Sequence, residues 1–196
     1  NTRLSSLLNN TRSDYKSKNE GYSFNNSILY KHKFKLKGRT ISISFNTDLG
    51  EHNGESNLYS INNYFDNQDT TITLNQQSNN YSYSKRISSN INYTEPIGKK
   101  ALLQFTYNPS LSLNKSDKQT YNFNNSTNQY SLLDSSITNI YNNTYKTQNG
   151  GLSFKVKSTK ANFTAGVNVQ NSILEGIQDF PLAINTNKTY NSVLPN

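Results

Sequence analysis

Hydrophobic and polar residues alternate with period 2 along most of the ordered-looking stretches of the chain. In "YKHKFKLKGRTISISFN", residues 30–46, Lys31, Lys33, Lys35 and Lys37 occupy every second position, and Ile41, Ile43 and Phe45 do the same after a Lys-Gly-Arg turn. Such alternation puts one residue class on each face of a strand. The first strand carries Ile28, Tyr30, His32, Phe34 and Leu36 opposite Lys31, Lys33 and Lys35. The second sets Ile41, Ile43, Phe45, Thr47 and Leu49 against Ser42, Ser44, Asn46 and Asp48. The third places Ile87, Ile91 and Tyr93 opposite Arg86, Ser88, Asn90 and Asn92. The fourth shows Ala101, Leu103, Phe105, Tyr107, Leu111 and Leu113, with Pro109 in phase, and the proline predicts a bulge or local irregularity there. Leu152, Phe154 and Val156 mark a fifth strand, and Ala161, Phe163, Ala165, Val167 and Val169 a sixth. "TYNSVLPN" reads as the start of a seventh.

These strands come in pairs. Short turns centre near residues 38, 98 and 158, while polar stretches of 50–80, 114–147 and 171–188 read as long tips. Ala and Glu are scarce and Met is absent, so helix signals are nearly missing. A spacing near 60 residues is too long for a solenoid coil and suits hairpins of long strands.

Composition sharpens the choice of solvent. Only 32% of the 196 residues are hydrophobic and 16% charged, and 34 are Asn. Mean hydropathy of −0.84 brings disorder into consideration. Against disorder stand 14 Tyr and 9 Phe, many in phase with their neighbours. A soluble sandwich would alternate too. Three features favour a membrane barrel. Short turns alternate regularly with long tips. The apolar bands have roughly the 9–11 residues that cross hydrocarbon at a tilt. Tyr30, Tyr93 and Tyr107 lie near band ends, where a ring in the apolar zone puts its hydroxyl among headgroups. The expected fold is therefore all-β: an antiparallel up-and-down transmembrane β-barrel fragment. It has about six long strands plus the start of a seventh, short periplasmic turns and long extracellular hairpin tips. The apolar face meets lipid and the lysine face a watery lumen. Since a membrane barrel needs at least eight strands, residues 1–196 read as a single segment of a larger barrel.

"YKHKFKLKGRTISISF", "YTEPIGKKALLQFTYNPSLS", "GLSFKVKSTKANFTAGVNVQ" and "TYNSVLPN" together resemble the middle of the outer-membrane barrel region of TonB-dependent-receptor-like proteins. The resemblance implies a barrel of about 22 strands around an N-terminal plug, importing a bound nutrient with energy passed from the inner membrane. The plug domain, the energy-coupling box and the closing strand are not in this sequence. The family implies no catalytic residues, and the chain is expected not to be an enzyme. The expected place is the outer membrane of a gram-negative bacterium. Expected partners are the lipid bilayer and lipopolysaccharide, the rest of the barrel, a plug domain or a surface lipoprotein.

Candidate chemistry is sparse. Lys31, Lys33 and Lys35 with Lys155 and Lys157 are candidate lumen-lining residues, forming a positive wall that draws anions. Ordinary lumen polarity is the simpler reading of the same row. His32 falls on the lipid face and His52 in an outer tip, too far apart to ligate one metal. Among the acids, Asp48, Glu51, Asp66, Asp69, Asp117, Asp134, Glu175 and Asp179 sit in or near tips. "YFDNQDTT" is a faint calcium candidate, more often a plain polar turn. "YNFNNSTNQY" is a candidate contact for a sugar, a peptide or a lipoprotein. No cofactor or metal is expected, and no Cys is present to supply a thiolate. The net charge of +8 comes without a nucleic-acid motif, so nucleic acid is not an expected partner. The ligand stays unnamed. Two other readings stand beside the receptor. One is a soluble secreted adhesin with its apolar stripes packed between two sheets. The other is a structural or accessory barrel without transport.

Overall fold

Every described residue outside the turns lies in strand. The computed structural model describes residues 9–65, 70–157 and 162–195. Its strands are β1 (Asn9–Lys33), β2 (Thr40–Tyr64), β3 (Thr70–Ile97), β4 (Ala101–Asn124), β5 (Gln129–Leu133), β6 (Asn139–Lys157), β7 (Asn162–Phe180) and β8 (Ile184–Pro195). They form one antiparallel sheet in the order β1-β2-β3-β4-β6-β7-β8, with β5 paired to β4 alongside. The sheet is open, with β1 and β8 at its edges.

The register carries the alternation across the whole sheet. Tyr30 faces Ile43, Ile43 faces Ile91, and Ile91 faces Tyr107; further along, Gly150 faces Val169 and Val169 faces Val193. The next row toward the short turns runs His32, Ile41, Tyr93, Phe105, Leu152 and Val167. All of these share one apolar face. Ser44, Asn90, Asn108, Asn149 and Gln170 make one row of the opposite, polar face. A one-residue slip anywhere would exchange the two faces, so the pattern itself fixes the register.

Among the described residues no hydrophobic side chain is buried. Phe105, Phe154 and Val167 are 45%, 37% and 40% exposed. A two-sheet adhesin would hide these residues between its layers, so the sandwich alternative fails. A water-soluble sheet with this many exposed rings would aggregate. The apolar face therefore needs a partner phase, and hydrocarbon is the one that fits a row of exposed apolar side chains running from strand to strand.

The long polar stretches are not loose tips. β2 runs to Tyr64 and β3 starts at Thr70, so residues 50–80 are mostly ladder. Residues 114–147 continue β4, add β5 and begin β6; residues 171–188 continue β7 and begin β8. What read as the start of a seventh strand is the far end of β8. The reason is that beyond the belt both faces meet water, so polar residues on both sides still satisfy a strand. Cross-strand side-chain bonds reinforce it, as from Gln77 Nε2 to Glu55 Oε1 (2.9 Å) and from Asn171 Nδ2 to Asn191 Oδ1 (2.7 Å). β3 has 28 residues, about 90 Å at roughly 3.3 Å per residue, more than twice a membrane crossing.

Three local features need correction or reason. The irregularity expected at Pro109 is present without a bulge: Pro109 pairs with Gln148 in register, and the facing β3 residues Ser89 and Asn90 drop out of the ladder. Ser89 Oγ instead donates to the Ser44 carbonyl at 2.9 Å. Glycine is required at 38 and 98, where φ is 97° and 65° in the short turns. His52, expected in a tip, lies within β2 on the polar face opposite Ser82. The "KSTK" turn falls partly, and Asp66 and Asp69 of "YFDNQDTT" wholly, outside the described residues.

If the apolar face meets hydrocarbon, Ile43→Arg destabilises the full-length protein in bilayers by about 2–4 kcal/mol, the cost of a cation near the midplane. Ser44→Arg, one residue along and on the polar face, changes stability by less than about 1 kcal/mol. Denaturant unfolding from phospholipid vesicles measures both.

Candidate functional site

The sheet's outer end, beyond the apolar belt, carries the densest polar construction. Its centre is Asp134, in the connection 134–138 between β5 and β6. Asp134 Oδ1 accepts from Ser136 N (3.1 Å) and Ser136 Oγ (2.6 Å), an Asx-type turn. Asp134 Oδ2 accepts from Gln76 Nε2 (3.0 Å) and Asn122 Nδ2 (3.3 Å). Gln76 Nε2 also donates to Asn122 Oδ1 at 3.0 Å. Gln76 and Asn122 face each other on the polar side of β3 and β4. The connection is thus folded inward over the polar face and tied to the sheet floor.

Backbone bonds complete the tie. Asp134 N donates to the Thr120 carbonyl (2.8 Å), and Thr138 N to the Asp134 carbonyl (3.1 Å). Thr120 N donates to Thr138 Oγ1 (3.1 Å), and the Thr120 and Ser78 hydroxyls share a 2.7 Å bond. Thr120 is fully buried and Thr138 nearly so. Among the described residues the buried polar side chains are Ser60, Gln76, Thr120, Thr138 and Ser172. Burial here costs little because the polar groups are paired. Tyr130 strengthens the same corner, donating to Asn75 Oδ1 (2.8 Å) and meeting Phe123 edge-on at 5.2 Å.

Beside this inward connection lies a cleft of about 380 Å³ on the polar face. Tyr15, Asn19, Ser78, Asn80, Lys118 and Ile137 line it. Gly54 also lines it, and a Cβ there would displace the Asn19 amide, whose Oδ1 it would meet at 2.5 Å. An aromatic ring, amides, hydroxyls and one cation, with Glu55 also on its wall, suit a hydroxylated or amide-bearing solute better than an apolar one. Among the described residues no three His, Asp or Glu side chains converge as metal ligands.

The lysines expected to line one wall are not brought together. Lys31 and Lys33 lie in edge strand β1 on the polar face, opposite Ser42 and Thr40. Lys35 is not in the strand: β1 ends at Lys33, and Lys35 falls in the turn. Lys155 is in β6, and its Nζ donates to Gln104 Oε1 at 2.8 Å. Lys157 ends β6, paired to Asn162 along the backbone. With β2, β3 and β4 between them, the β1 and β6 lysines are about 19 Å apart at roughly 4.8 Å per strand. The reason is that alternation tells which face a residue takes but not how far apart two strands lie.

The sequence reading places Asp134 among the tip acids but gives it no partners, and Gln76, Asn122 and Ser136 go unnamed. The available signal was "LLDSSIT", where adjacent leucines break the period and Asp-Ser-Ser signals an Asx turn. Tyr15 and Lys118 carried no signal, being polar-stretch residues like their neighbours.

At the other end of the apolar face Arg39 and Glu95 make a two-pronged pair, Nε to Oε2 at 2.8 Å and Nη2 to Oε1 at 2.5 Å. Tyr93 OH also donates to Glu95. Phe34 meets Tyr93 edge-on at 6.5 Å and His32 at 4.5 Å, so aromatic rings band this rim. His32 accordingly keeps the place on the apolar face that the alternation assigns it.

A sequence model of the outer membrane protein beta-barrel family matches residues 32–196. No curated protein and no solved structure matches the chain.

The hydrogen bonds from Ser136, then those from Asn122 and the local backbone, hold the Asp134 carboxyl below its ordinary pKa. That lowering contributes stability at neutral pH and down to the ordinary carboxylate range, and loses it as pH falls further through the folded-state value. We predict that amide exchange in 134–138 quickens on acidification below that range. Asp134→Ala should quicken it already at neutral pH while leaving exchange in the belt unchanged. Hydrogen-exchange mass spectrometry of the full-length protein reads both.

Proposed function

Because the chain belongs to the outer membrane protein beta-barrel family, we propose that it forms one wall of a receptor or transporter in which a solute binds or passes at the cell surface. Its place is the bacterial outer membrane. The observation that carries the reading is the inward fold of 134–138, which narrows the polar face beside a cleft of about 380 Å³. A purely structural barrel has no need of a connection tied inward by a four-times-bonded carboxylate. Inward loops that constrict and line a lumen are how barrels select solutes.

The open edges support a larger assembly. Each backbone N–H or C=O left unpaired in hydrocarbon costs several kcal/mol. The belt portions of β1 and β8 have such groups along one side. Further strands would pair them, giving a barrel in which this sheet is one sector. The basic short turns and strand order support a TonB-dependent-receptor-like protein, with a plug and energy coupling supplied elsewhere. The role is non-catalytic: the cleft is made of residues that bind and orient.

Cells producing the full-length protein should take up or bind a hydroxylated or amide-bearing nutrient that cells lacking it do not. A panel of radiolabelled saccharides and short peptides tests this. Lys118→Ala together with Tyr15→Ala should lower binding about tenfold or more, as expected when an aromatic platform and a charged hydrogen-bond donor are both removed. Equal uptake of every probe with and without the protein contradicts the receptor reading and leaves a structural barrel.

A further inference from the structure

The +8 net charge is not spread over the molecule. Segments 30–40, 94–104 and 152–164, the short-turn ends of the hairpins, hold ten of the 20 Lys and Arg residues and only one of the 12 acids, Glu95. That end balances to +9; the remaining ten cations and eleven acids balance to −1. The one acid at this end is already held by Arg39. Among the described residues no ion pair joins Lys31, Lys33, Lys35, Lys37, Lys99 or Lys100 to a carboxylate.

The fold brings the turn cations Lys35, Lys37, Lys99 and Lys100 onto one rim. The turn at 34–39 lies against the β3–β4 corner, since a Cβ at Gly38 would stand 3.4 Å from Pro96 Cβ and 3.6 Å from Leu102 Cδ2. Lys35 and Lys37 therefore share a neighbourhood with Lys99 and Lys100. Between them are apolar side chains that nothing covers: Leu36 is 48% exposed and Ile97 46%. Phe163, at the same height on the apolar face, is 61% exposed. Cations interleaved with exposed apolar groups, just below a hydrocarbon belt, match a headgroup layer. The aliphatic stems lie along the apolar zone and the ammonium groups reach the phosphates.

We propose that the short-turn rim binds anionic phospholipid headgroups of the periplasmic leaflet, the side on which short barrel turns lie. Cations clustered on one rim without carboxylates are stabilised when a negative surface supplies the missing charge, at about 1 kcal/mol for each Lys or Arg near it. An acidic periplasmic protein is the competing occupant. It would not account for the exposed Leu36, Ile97 and Phe163 at the height of the belt's edge.

The test uses the full-length protein in vesicles of phosphatidylethanolamine carrying spin-labelled phosphatidylglycerol or spin-labelled phosphatidylethanolamine. The protein-bound fraction of each label is compared. The parent should prefer phosphatidylglycerol, and Lys35, Lys37, Lys99 and Lys100 together changed to Gln should lower that preference about threefold or more. Changing Lys16, Lys18, Lys115 and Lys146 to Gln, the same charge removed from the other end, should leave it unchanged. If the rim variant does not fold, salt decides on the parent alone. The preference should collapse by about 1 M salt, where the screening length falls to roughly 3 Å. No preference in the parent, a preference that survives the rim changes or high salt, or equal loss in the outer-end variant overturns the proposal. So does a rim variant that loses only cross-links to an acidic periplasmic protein.

Discussion

Every backbone hydrogen-bonding group that enters hydrocarbon must be paired by another part of the protein, because lipid offers nothing in exchange. This constraint accounts for the sheet more than any side-chain contact does. It forbids loops at belt depth and allows a sheet whose described residues bury no hydrophobic side chain to be well defined. Side chains then need only distinguish two solvents. Ile43 and Ser44 are neighbours in sequence and face opposite phases, and the ladder from β1 to β8 repeats that choice strand after strand.

Outside the belt the same constraint relaxes, and the structure changes character. Water can satisfy the backbone, yet the strands continue for many residues, with amide and hydroxyl side chains joined across them. The abundance of Asn and Ser thus belongs to a sheet wet on both faces. At 134–138 the outer region builds something denser, a carboxylate with four donors that pulls a connection onto the polar face. That connection, beside Tyr15 and Lys118, gives the wall a shape as well as a polarity.

The belt was legible in the sequence because period 2 is a local property. Which face Phe105 or Val167 takes follows from its immediate neighbours. The extent of the strands was not legible, since a polar stretch such as 50–64 lacks the contrast that marks a face, although it pairs as firmly as the belt does. The same limit applied to the lysines. Alternation put Lys31 and Lys155 on one face, but only the strand order shows three strands between them. The cleft was illegible for a related reason. Asn19, Asn80 and Lys118 are far apart in sequence, and register alone makes them neighbours.

A spin-label scan of residues 41–46 in the full-length protein, reconstituted in phospholipid, is the most direct test of which phase each face meets. Labels at Ile41, Ile43 and Phe45 should collide with dissolved oxygen, which concentrates in hydrocarbon. Labels at Ser42, Ser44 and Asn46 should collide with a water-soluble nickel chelate, giving two oscillations of period 2 in opposite phase. Odd positions shielded from both reagents would place the greasy side chains in a packed protein interior and contradict the membrane wall described here.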